Sequence, residues 1–133
     1  MAITFSVPGD PVPQPRPRVS TRGGFARAYV PAKHAVHAYR AAVASEATRA
    51  GACASDGTCE VVIDFVFARP KSHLRKNGLA KDAPRLPRAD LDNMAKAVLD
   101  ALNGVAWEDD SQVARLVVEK SYGTEARTTV RIS

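Results

Sequence analysis

The run Cys59–Ala68 constrains the fold more than any other stretch of this chain. It is nearly continuous in apolar residues and rich in β-branched and aromatic side chains, a pattern that predicts a β-strand. Strands that are covered on both faces have this composition, so we expect this strand at the centre of a sheet. Its internal carboxylate, Asp64, is predicted to be an edge-facing or paired polar residue rather than a functional one.

Further strands and two helices are predicted around this central strand. Alternating apolar and polar residues predict strands, and a 3.6-residue period predicts helices. The strands fall at residues 3–7, 112–122 and 126–132, and the helices at about 32–50 and 91–103. We therefore predict an α/β (α+β) fold with a mixed sheet and two main helices in the order β-α-β-α-β-β. The length suits one domain spanning residues 1–133.

Two segments carry most of the positive charge of this chain, whose formal net charge is +5. Residues 11–45 contain six basic residues and no acid, and their alternating prolines predict a stiff extended arm that leads to a loop tip at 21–25. Residues 69–89 contain seven basic residues against Asp82, and their length predicts a functional loop. Solvated surface charge is one interpretation, and a surface that binds a polyanion is the other. The candidate phosphate contacts are Arg16, Arg18, Arg22, Arg75, Lys76 and Arg88.

Acidic residues concentrate between 90 and 110, where six acids accompany the single Lys96. Asp90 and Asp92 lie at a junction of loop and helix, where one carboxylate serves as an N-cap and a second has no structural role. Two close carboxylates disfavour each other unless a cation lies between them. Asp90, Asp92 and Asp110 are therefore candidate Mg²⁺ ligands. Lys96, four residues after Asp92, is expected either in a surface ion pair or beside the metal, where it would assist phosphodiester cleavage.

The motifs around these acids resemble those of RusA-type Holliday junction resolvases of bacteria and their prophages. The similar stretches are residues 13–18, 29–31, 88–96, 100–104 and 107–113. The resemblance implies a homodimeric, Mg²⁺-dependent endonuclease that cuts four-way junctions and other branched DNA by paired, symmetric nicks. It also implies that the essential carboxylates are Asp90, Asp92 and Asp110, and that the essential lysine is Lys96. A two-fold dimer matches the approximate two-fold symmetry of such a junction.

Other features of the sequence bear on the cellular location of this protein, on its cysteines and on alternative functions. We expect a cytoplasmic protein without a membrane partner or a small-molecule cofactor, because no apolar run approaches a membrane span and no secretory signal is evident. Cys53 and Cys59 are predicted to be reduced thiols. A zinc site that combines them with His34 and His37 is disfavoured, because the cysteine pair lacks finger-like spacing and histidines three residues apart on a helix are common by chance. Two other functions stay open: a branched-DNA-binding protein without catalysis, and a metal-dependent nuclease that acts on flaps or RNA.

Overall fold

The computed structural model describes residues 2–133, and its main sheet is a four-stranded mixed sheet that carries two helices on one face. The predicted α+β class, with a mixed sheet and two main helices, is confirmed. In chain order the elements are β1 (Ile3–Pro8), β2 (Arg18–Ser20), β3 (Arg27–Tyr29), α1 (Ala35–Arg49), β4 (Cys59–Ala68), β5 (Leu74–Arg75), β6 (Gly78–Leu79), α2 (Leu91–Leu102), β7 (Val113–Gly123) and β8 (Arg127–Ile132).

Strand β4 lies inside the sheet, as its apolar run predicts. The strand order is β1-β8-β4-β7, with β4 antiparallel to β8 and parallel to β7. Val61, Ile63 and Phe65 are fully buried beneath the helices, and Val66 on the opposite face is only 5% exposed. Strands β1 and β7 form the two edges of the sheet.

The core lies between the helices and one face of the sheet. Trp107 is fully buried there, and its Nε1–H donates to Asn103 Oδ1 at 2.8 Å. The hydroxyls of Tyr39 and Thr128 hydrogen-bond to each other inside the core. Burial raises the pKa of Tyr39 to about 12, so this phenol stays protonated at any ordinary pH.

Helix α1 begins later than predicted because His34 caps it. His34 Nδ1 accepts the Val36 N–H at 3.0 Å, which satisfies one of the free N–H groups of the first turn. His37 Nε2 lies 3.0 Å from the Pro31 carbonyl oxygen. Both histidines therefore stabilise the start of this helix, and no group of three potential metal-ligating side chains occurs within residues 2–133. Cys53 and Cys59 are free thiols, as predicted.

Both basic segments contain a short hairpin that the sequence did not predict. Strands β2 and β3 pair around a loop in which Gly23 and Gly24 have φ of +84°. Strands β5 and β6 pair around Lys76 and Asn77, and Gly78 follows with φ of +125°. Strands of two or three residues are too short to display an alternating pattern, so turn geometry and pairing define them. The arm before the first hairpin, residues 11–17, contains no helix or strand.

No helix within residues 2–133 is both long enough and apolar enough to cross a membrane.

Candidate active site

The packing of α2 on β7 creates a cavity that gathers several predicted catalytic residues. Helix α2 is amphipathic: it buries residues such as Met94 and Val98 and leaves Asp92 and Lys96 exposed. The cavity between α2 and β7 has a volume of about 460 Å³. Its lining residues are Leu91, Asp92, Ala95, Lys96, Leu99, Asp110, Leu116 and Val118. Asp92, Lys96 and Asp110 thus share one cavity, although Asp110 comes from a different segment of the chain.

Asp90 occupies the N-cap position of α2 but does not act as a cap. Its side chain makes no capping hydrogen bond, and Oδ2 accepts only a long bond of 3.5 Å from Asn93 Nδ2. Asp92 Oδ1 accepts the adjacent Asn93 N–H at 2.9 Å. The Asp90 side chain therefore has no capping role, and it does not line the cavity.

Lys96 pairs with Asp100 rather than with Asp92. Lys96 Nζ lies 3.3 Å from Asp100 Oδ1, one helical turn further along α2. The expectation of a surface ion pair between Asp92 and Lys96 is therefore wrong. No lysine, arginine or histidine within residues 2–133 forms a salt bridge with Asp90, Asp92 or Asp110. None of these carboxylates is thus neutralised by an ion pair within the described chain, a state that favours the binding of a cation.

Gln112 fixes the acidic segment that precedes β7. Its Oε1 accepts the N–H groups of Glu108 and Asp109 at 2.9 and 3.0 Å. Its Nε2 donates to the carbonyl oxygens of Ser55 and Gly57 at 2.6 and 2.8 Å. Sequence reasoning did not select Gln112, although an Asp followed three residues later by Gln is the spacing of a capping box.

The two adjacent acids of this segment have different roles. Asp109 caps the short 3₁₀ turn Asp110–Gln112, and its Oδ2 accepts the Ser111 N–H at 3.1 Å. Hydrogen bonds from the Ser111 hydroxyl and then its backbone N–H lower the pKa of Asp109. Asp110 makes no such bond and lines the cavity, so it is the member of the pair that is available to a ligand.

The donor set of the cavity fits Mg²⁺. Asp92 and Asp110 both line it, whereas Asp90 does not, and the three carboxylates do not form one metal cluster among the described residues. Mg²⁺ in proteins commonly takes one or two carboxylates and completes its shell with water and substrate phosphates. The two carboxylates of the cavity match this requirement, and Asp90 lies at the adjacent N-cap of α2.

Residues 8–133 match the family model of endodeoxyribonuclease RusA. The chain belongs to the RusA endodeoxyribonuclease family. The resemblance inferred from the motifs is thus confirmed, and it places the chain among the nucleases that cleave within DNA strands. A similar curated protein is YqaN of Bacillus subtilis (strain 168), described as uncharacterized. It is 35% identical over 134 residues, which cover 98% of this chain and 94% of YqaN.

In this RusA-family chain the basic arm lies against the helix that carries the acids. The Gln14 N–H donates to the Asn93 carbonyl oxygen at 2.9 Å, so the arm contacts the first turn of α2. Lys120 Nζ donates to the Ala89 carbonyl oxygen at 2.9 Å and holds the chain just before Asp90. Neither contact has a sequence signal, because both join segments that are far apart in the chain.

The second basic segment is anchored by Arg69. Its guanidinium lies 4.2 Å from the centre of the Tyr122 ring and donates to the Pro84 carbonyl oxygen at 2.7 Å. Arg69 therefore has a structural role in this RusA-family protein. All six candidate phosphate contacts are exposed, on the arm, the two hairpins and the approach to α2.

Proposed function

We propose that this RusA-family protein is a homodimeric, Mg²⁺-dependent endonuclease that resolves Holliday junctions and related branched DNA in recombination and repair. It does so by paired, symmetric phosphodiester cleavage. The observation that carries this proposal is the cavity that contains Asp92, Asp110 and Lys96, next to an arm rich in arginine. Family membership supports the reaction type, since the family model is that of an endodeoxyribonuclease.

The proposed roles follow from the chemistry of each side chain. Asp92 and Asp110 would hold the cation, and Asp90, at the adjacent N-cap of α2, would act as an additional ligand or as a base for a nearby water. When bound, Mg²⁺ supplies charge neutralisation at the scissile phosphate and lowers the pKa of a bound water. The Lys96 ammonium lies in the same cavity and stabilises the negative charge that builds on the phosphoryl oxygens. Asp100 positions that ammonium through its ion pair.

The proposed DNA-binding surface consists of the six exposed basic residues of the arm, the two hairpins and the approach to α2. Arg16 precedes the first hairpin, and Arg18 and Arg22 belong to it. Arg75 and Lys76 belong to the second hairpin, and Arg88 lies two residues before Asp90. Exposed guanidinium and ammonium groups neutralise phosphates and release counterions, which makes binding tight and dependent on salt.

This surface predicts the salt dependence of junction binding. If the six basic residues each neutralise one phosphate, a plot of log affinity against log salt has a slope of about −5. Fluorescence anisotropy with a labelled four-way junction measures it. Replacing Arg16, Arg18 and Arg22 together with Ala is expected to reduce the slope by about 3. Arg49→Ala is the matched control, since Arg49 pairs with Glu46 at the end of α1. A wild-type slope near −1 would contradict the proposed surface.

A substrate panel tests the proposed function directly. Cleavage is measured on a mobile four-way junction, a flap, duplex DNA and RNA, each with Mg²⁺ or with EDTA. The expected result is nicking of the junction at symmetric positions on two opposed strands, with Mg²⁺ only. Stronger cleavage of flaps or RNA would assign the same chemistry to another substrate. Binding of branched DNA without any Mg²⁺-dependent nicking would show that the protein is a binding module instead.

A further inference from the structure

Strand β7 leaves one edge of the main sheet open. It is 11 residues long, pairs with β4 on one side and has no strand on the other. No backbone hydrogen bond joins residues 114–122 to anything beyond their own sheet partner within the described chain. Long open edges invite strand addition by another chain, and proteins usually shorten or cover them. This edge is therefore a candidate surface for strand addition.

The side chains of β7 complement those of a second β7 that runs antiparallel to it. In a two-fold pair of identical antiparallel strands, the residues that lie opposite each other are on the same face of the sheet. Arg115 and Glu119 are on one face, since they pair in register with Glu60 and Asp64 of β4. Lys120 is on the other face, where it pairs in register with Phe65. Opposite charges therefore face each other in one register alone, the register that places Val117 on the axis.

The same register pairs apolar residues on the helical face. Leu116 would lie opposite Val118 of the second copy, and the reverse contact follows by symmetry. Both residues line the cavity that contains Asp92, and Leu116 is 40% exposed in the single chain. Strand addition would bury this side chain and place the second copy beside the cavity.

We infer that β7 pairs antiparallel with β7 of a second copy of this chain, with Val117 on the two-fold axis. The inference rests on the proposed dimer and assigns its interface. Each four-stranded sheet then continues into the other. An axis perpendicular to the sheet keeps both helical layers on the same side, so the two cavities lie on the same face of the dimer. This arrangement suits symmetric cleavage of two strands.

Arg115 has an ion pair within its own chain, which competes only weakly with the inferred contact to the partner's Glu119. Arg115 Nη1 lies 4.0 Å from Glu60 Oε2, and the two side chains are 62% and 54% exposed. Solvent screens such a pair strongly. Glu119 forms no salt bridge within residues 2–133, so its carboxylate is available to the partner's Arg115.

A charge exchange tests the register. In a Glu60→Gln background, which removes the internal contact, Arg115→Glu or Glu119→Arg alone would place like charges across both symmetric pairs. Each is expected to weaken dimerisation by about tenfold or more, and the two together to restore it to within about threefold. Sedimentation equilibrium resolves the dimer from the 14.2 kDa chain. Glu60→Gln by itself is the control and should leave the dimer intact.

A cross-link tests the axis. With Cys53→Ser and Cys59→Ala, Val117→Cys is expected to form a disulfide-linked dimer on oxidation, because opposed Cα atoms lie about 4.5–5.5 Å apart. Ala114→Cys is the control on the same strand; its two copies would be about 20 Å apart and should not link. A monomeric wild type would overturn the inference, and so would a dimer that neither the charge exchange nor Val117→Cys affects. Junction cleavage by that unaffected dimer would leave the proposed function standing. Cross-linking without Mg²⁺-dependent cleavage would instead reject the proposed function and keep the interface.

Discussion

Asp92→Asn is expected to lower Mg²⁺-dependent junction cleavage by about a thousandfold or more, while junction binding stays the same or tightens. Asp92 shares its cavity with Asp110, and Asn cannot supply the charge that holds Mg²⁺ there. Loss of a negative charge close to the phosphates of DNA also favours binding. Cleavage is measured under single-turnover conditions, and binding is measured by anisotropy in Mg²⁺-free buffer.

A matched substitution separates this effect from a loss of structure. Asp64 is a half-buried carboxylate of β4, and its position in the sheet places it on the face opposite the helices. Asp64→Asn should therefore keep cleavage close to that of the wild type. Circular dichroism and the thermal midpoint report whether each variant is folded. An unfolded Asp92→Asn protein would favour a structural role, and wild-type cleavage by a folded one would remove Asp92 from the proposed site.

Lys96→Met is expected to reduce cleavage by about 10²–10³-fold while Mg²⁺ binding stays unchanged or tightens. Lys96 lies in the same cavity as two carboxylates, but its ion pair is with Asp100. Its removal takes away a positive charge near the reacting phosphate and leaves both proposed ligands in place. Single-turnover cleavage at saturating Mg²⁺ gives the first quantity, and isothermal titration with Mg²⁺ gives the second.

Lys33→Met is the control for this substitution. Lys33 is exposed in the turn before α1 and does not line the cavity. Its loss removes the same charge from the chain and should leave the rate of the cleavage step unchanged. Loss of Mg²⁺ binding in Lys96→Met would indicate a role in building the site. A wild-type rate would assign Lys96 to the protein surface alone.

The sequence pattern predicted those elements that bury a continuous run or a regular stripe of apolar side chains. The central position of β4 follows from its apolar run, and the amphipathic stripe of α2 follows from its period. The two hairpins were not predictable in this way. Their strands have two or three residues each, and they depend on turns at Gly23, Gly24 and Gly78 and on pairing between backbones.

The sequence by itself determined the family, the central strand and the group of residues from which an active site can be built. Only the tertiary structure decided which members of that group meet. It places Asp92 and Asp110 in one cavity without Asp90, and it pairs Lys96 with Asp100 rather than with Asp92. The physical reason is that Lys96 has an acid one helical turn away on each side, so spacing alone cannot choose between them. The contact between α2 and the start of β7 is likewise a matter of packing between segments that are not adjacent in the chain.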